Sequence, residues 1–288
     1  MIGGLTILFA AVAVLGGLIF AAAGKFRRDC LALRRAGIRA NRQVKQLLLD
    51  LQQHRGMANA YLNGDGSFKA RIEKKQAEID RDIAALDDLL QRELITAQRW
   101  NAIKSDWQKL RGEVLSLQQE ESFRRNSALI RAVLYSMGDV AERSQIAGGC
   151  NVDTGLIKAL WSDIPVVAEG LGKARGLGSG VAAKGHCSGV ARIKLRFLEE
   201  RVGEIMKWVD DDFASRAATL DAALIQSWEG THRTVSEFLA LLERTLLESE
   251  RPSIDAEHYF AAATKALDAV FLVFDQVSDA LDNALGRP

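Results

Sequence analysis

From residue 25 to its end the chain repeats apolar side chains at three- and four-residue intervals, almost without interruption. That is the period a helix needs to bury one face. Only three residues are proline, Pro165, Pro252 and Pro288, and runs of β-branched residues are short. Long helices are therefore expected, with no sheet. With 48% hydrophobic residues in 288, the chain has material for real cores.

Punctuation divides the pattern. Val44, Leu47, Leu48, Leu51, Ala58 and Leu62 form one stripe, ended by the turn "NGDGS" at 63–67. A second helix is expected over 68–94, and a third from a Thr96 cap to about 147. "GGCNVDTG" at 148–155 is the clearest break, followed by a fourth helix to about 184. The fifth is expected over about 189–249, and the last from a Ser253 or Asp255 cap through Leu285. Such lengths suit antiparallel bundles in which long helices run from one four-helix layer into the next.

Residues 2–24 carry no charge and are long enough to cross a bilayer as a helix. A cleavable signal peptide would have a positive start and a shorter apolar core. Eight basic residues between Lys25 and Lys45, against the single acid Asp29, put the following chain in the cytoplasm. The expected layout is a transmembrane anchor over 1–24, a basic juxtamembrane helix over 25–45 that meets anionic lipid headgroups, and a helical domain over 46–288.

Within that domain an internal repeat is visible. At an offset of 120, Leu51 falls on Leu171, Arg55 on Arg175, Gly56 on Gly176 and Asn59 on Ser179. "ARI" at 70–72 meets "ARI" at 191–193, one residue out of step, so a duplicated helical hairpin is inferred. Both arginines lie on the apolar face of their helices, where an unpartnered guanidinium costs several kcal/mol. Each must meet an anion, either a carboxylate from another helix or a ligand. Ala168, Gly172, Gly176 and Gly180 leave one side of the fourth helix nearly bare, open to a packed helix or a small ligand.

The Arg-Gly step after an amphipathic helix, repeated as "RGLGS", resembles the nitrate- and nitrite-sensing domain family, as does "EHYFAAATKALDAVFLVFDQVSDAL" near the C-terminus. The likeness covers about 40–285. It implies two stacked four-helix bundles and a nitrate or nitrite anion held between arginines. The implied ligand-binding residues are Arg55 and Arg175 with Gly56, Gly176 and Ser179, and His54 and Lys173 stand as rim candidates. The sequence ends at Pro288 with no output segment in view, and His54 stands where a second charged residue is often found.

The expected function is a single-pass sensor in a bacterial inner membrane, its C-terminal domain cytoplasmic, signalling through a separate partner or a homodimer. The alternative is a membrane-tethered helical scaffold without a small-molecule ligand. No cofactor is expected. A net charge of +1 gives no reason to expect nucleic acid. Tyr61 and Ile72 stand where a calcium loop around Gly66 would need carboxylates. The four histidines and three cysteines show no metal-ligand spacing, and the five tryptophans fall within helical periods as core residues. With no nucleophile–base grouping, the chain reads as no enzyme.

Overall fold

The computed structural model describes residues 2–91, 93–148, 153–248 and 251–286, with side chains from residue 16 onward except 88, 90 and 91. Every regular element among them is helical. The first, α1 (Ile2–Leu62), is one uninterrupted helix of 61 residues, so the apolar N-terminal segment, the basic stretch and the first arginine share a single rod. At the helical rise it spans roughly 90 Å. The side chains of the first fifteen residues, most of the expected membrane span, lie outside the described residues. Among the described residues no helix is long and apolar enough to cross a membrane.

The chain then forms α2 (Phe68–Gln91), α3 (Ala97–Glu113) and α4 (Gln119–Arg143). Thr96 caps α3, accepting from the Arg99 amide at 3.3 Å. The expected single helix from Thr96 to 147 is instead two antiparallel ones. Val114 is buried, Leu115 and Leu117 pack against the core, and Gln118 turns extended before α4 begins. Burying three apolar side chains at the corner outweighs continuing the rod.

A 3-10 turn (Ile146–Gly148) follows α4, and further along come α5 (Thr154–Lys158), a π-helical turn (Ala159–Asp163) and α6 (Ile164–Lys184). Gly185 ends α6 with φ 62°, the left-handed stop that favours glycine. The expected helix over 189–249 is likewise two, α7 (Gly189–Ser215) and α8 (Ala222–Leu242), the latter running into a π-helical turn at Glu243–Leu247. Asp221 caps α8 by accepting from the Ala223 amide at 2.7 Å. That "Asp before an apolar run" signal was present in the sequence. The last helix, α9 (Ala256–Gly286), takes its cap from Asp255, which accepts from the His258 amide at 2.9 Å.

Packing sorts these helices into two four-helix sets, α1–α4 and α6–α9, bridged by contacts of α1 with α6 and α9. Helices α1 and α9 run antiparallel, joined by Arg35–Asp282 at 3.3 Å, Arg42–Asp279, and Lys45–Asp275 at 2.6 Å. In contrast α1 and α6 run parallel, because Arg55 meets Glu169 while Asn59, one turn on, meets Gly176. Each arginine-bearing helix therefore faces the other set. Trp100, Trp107 and Trp228 are buried, and their indoles donate to Asp87, Asp80 and Asp210. Trp208 departs from the core expectation, being more than half exposed on α7.

Candidate functional site

The site lies where α1 crosses α6, closed by α4 and α9. Both arginines are buried, Arg55 at 2% and Arg175 at 5% exposure. Their surroundings repeat. The Arg55 guanidinium lies over the Phe123 ring at 5.1 Å and donates to the Ser127 hydroxyl at 3.0 Å. The Arg175 guanidinium lies over the Phe260 ring at 4.9 Å and donates to the Thr264 hydroxyl at 3.1 Å. In each case an aromatic and, four residues later, a hydroxyl come from the closing helix of the same set. The offset from Phe123 to Phe260 equals that from Ser127 to Thr264, so the duplication extends to whole four-helix units.

The symmetry fails at the counter-ion. Glu169 of α6 grips Arg55 with both oxygens, at 2.6 and 3.1 Å, the fork-to-fork geometry that guanidinium and carboxylate favour. Gln52 donates to the same carboxylate at 3.1 Å, and Lys173 approaches it at 3.3 Å. Shifted back by 120, Glu169 falls on Leu49, which cannot return the favour to Arg175. No carboxylate bonds Arg175 among the described residues; its hydrogen-bond partner is the neutral Thr264 hydroxyl. Burial, with the Arg55 charge adding to it and Asp268 partly offsetting it, pushes the Arg175 pKa down to about 10. It stays charged at pH 7, with part of its electrostatic demand unmet.

At 100° per residue, Gly176, Gly172 and Ser179 fall between Glu169 on one flank of α6 and Arg175 on the other. A side chain on Gly172 would sit 3.2 Å from Arg55 Nη2, so the guanidinium rests on bare backbone there. A side chain on Gly176 would come within 3.4 Å of Phe123, and Asn59 donates to its carbonyl at 3.4 Å. The Ser179 hydroxyl is buried and makes no hydrogen bond among the described residues. Three cations (Arg55, Lys173, Arg175) thus face two carboxylates, Glu169 and the exposed Asp268, leaving one positive charge in excess.

Of the other sequence candidates, Gly56 and His54 lie apart from this arrangement. Gly56 faces open space, with nothing within 4 Å of where a side chain would begin. His54 is no rim residue. It is fully buried inside the first set, bonded to Asn126 at 2.9 Å and edge-on to Trp107, and burial lowers its pKa to about 4, so it is neutral. Lys173 is at the rim, 29% exposed, and its contact is with Glu169. Glu169, Gln52, the two phenylalanines and the two hydroxyls escaped the sequence reading. A search for "F-x-x-x-S/T" at matched positions would have found the last four.

A comparison with protein families matches residues 46–285 to the family described as nitrate and nitrite sensing. A comparison with curated proteins gives no match. Among solved structures the chain resembles the NasR transcription antiterminator, with a TM-score of 0.70 and 21% identity over 93% of this chain and 73% of that one. At that identity the likeness speaks for the fold. The family match spans most of the chain and takes in both arginines, and on that ground this protein belongs to the nitrate and nitrite sensing family.

Proposed function

We propose that this protein is a membrane-anchored sensor of nitrate or nitrite, and that the anion is held at the α1–α6 crossing by Arg175 and Arg55. One observation carries the reading: Arg175 is buried without a carboxylate, beside a second guanidinium and above a floor of Gly172, Gly176 and Ser179. A single excess positive charge suits a monovalent anion. A planar oxyanion matches the guanidinium fork edge to edge, and the Ser179 hydroxyl can donate to a remaining oxygen.

Signalling follows from the geometry. An anion between the two arginines supplies the negative charge that Arg175 lacks and resets how α1 meets α6 at the crossing. Because α1 is one helix, a small tilt at Arg55 becomes a larger displacement at its distant end, and the conformation that binds tighter is populated. In this proposal residues 2–24 cross the membrane, the domain is cytoplasmic, and a separate partner or a second copy reads the change. Sidedness is tested with an impermeant thiol reagent on the exposed position Lys69→Cys in intact cells. Cys187 is a poor probe for this, being buried.

Binding is tested by titrating detergent-solubilised full-length protein with nitrate, nitrite and chloride in a calorimeter. The sensor reading expects saturable heat with nitrate or nitrite and its loss in Arg175→Met. Absence of heat with every anion at millimolar concentration favours the scaffold reading. One feature of the site supports that second reading: Arg55 is already neutralised by Glu169.

A further inference from the structure

We propose that Glu169 is a tethered competitor for the anion, holding Arg55 in the empty protein and giving it up when the ligand arrives. This rests on the anion-sensing reading and adds to it what sets the response threshold. The Glu169 carboxylate presents two coplanar oxygens to Arg55, the same edge that nitrate or nitrite would present. It is itself buried, and it reaches Arg55 from the flank of α6 opposite Arg175, across the glycine floor. An anion seated on Arg175 and Ser179 therefore competes with Glu169 for the adjoining edge of Arg55.

A landing place for the displaced carboxylate is already built. Lys173, one turn along the same helix and partly exposed, sits 3.3 Å from Glu169 Oε1. Rotation of the Glu169 side chain toward Lys173 keeps its charge paired while freeing Arg55. The duplicated position is Leu49, so the competitor exists on one side only and Arg175 is the arginine that receives the anion first.

The test is nitrate titration at constant ionic strength of the wild type, Glu169→Gln and Glu169→Asp, in the full-length protein. Glu169→Gln is expected to lower Kd for nitrate at least tenfold. Removing a negative charge favours any anion, so Glu169→Asp is decisive: it keeps the charge and shortens the reach to Arg55. A competitor predicts Kd lowered severalfold in the Asp variant; simple charge predicts no change. If the wild type binds and Glu169→Asp binds equally or more weakly, Glu169 is a fixed counter-ion and the proposal is overturned. If none of the three proteins binds nitrate, the sensing reading itself falls. Because Asp preserves the ion pair's charges, that variant decides the matter even where Gln fails to fold.

Discussion

Arg55 and Arg175 make matching contacts with phenylalanine and hydroxyl, and Glu169 alone makes their consequences for stability diverge. Replacing Arg55 with Met leaves the buried Glu169 carboxylate to Lys173 and Gln52 alone, an expected loss of about 1–3 kcal/mol. Replacing Arg175 with Met removes a charge that burial penalises and strands only a hydroxyl, so stability should hold within about 1 kcal/mol or rise. Urea unfolding of the two variants checks this, and equal losses would mean that Arg175 has a carboxylate partner after all. His54 gives a pH signature. Its pKa is about 4 folded and 6.5 as the ordinary value, so the unfolded chain binds the extra proton between those limits. Its contribution is intact above pH 6.5 and falls by about 3 kcal/mol as pH drops to 4. Asp82, its carboxyl raised to about 7 by burial and then by Asp50, works in the opposite sense. The difference in Tm between wild type and His54→Leu, followed from pH 7 to 4, isolates the histidine; a difference constant with pH would refute it. At this scale the sequence showed that the two arginines are buried. It did not show Glu169, because a glutamate on a glycine-rich helix looks like any solvated acid until the partner helix is placed.

The glycines of α1 and α6 belong to the scale of elements, since one residue type serves opposite ends. Gly178 receives the Tyr259 ring, whose atoms would lie 2.3 Å from an added side chain, while the hydroxyl donates to the Ala174 carbonyl at 3.0 Å. Gly178→Ala is expected to destabilise by about 1–3 kcal/mol through overpacking. Gly56→Ala meets nothing and should stabilise by about 0.5–1 kcal/mol through helix propensity alone. Thermal melts of the pair decide whether α6 is bare because α9 presses against it. Helix type and most caps were legible from periodicity and cap residues. Two of the long helices were not, since nothing in "VLSLQ" breaks a helix locally and the one signal in "RAATLD", the Asp221 cap, stands inside an unbroken apolar period. The chain turns there because folding back buries more apolar surface than running on, a tertiary effect.

For the molecule as a whole, duplication explains both the architecture and its asymmetry. Two four-helix sets each bring an arginine to the same crossing, and like charges would hold that crossing apart were Glu169 not there. The repeat in the sequence located the arginines, and the matching Phe-x-x-x-Ser/Thr positions extend it to entire sets. The unbroken α1 links the crossing to the apolar N-terminal segment, while two of its ion pairs to α9, Arg35–Asp282 and Arg42–Asp279, are exposed and worth little singly. The most direct measurement is a crystal structure of the protein grown with and without nitrate. The account predicts planar density within hydrogen-bonding distance of the Arg175 guanidinium and the Ser179 hydroxyl, present only with nitrate. Arg175 bonded to a carboxylate in both crystals, with no added density beside it, would contradict the account.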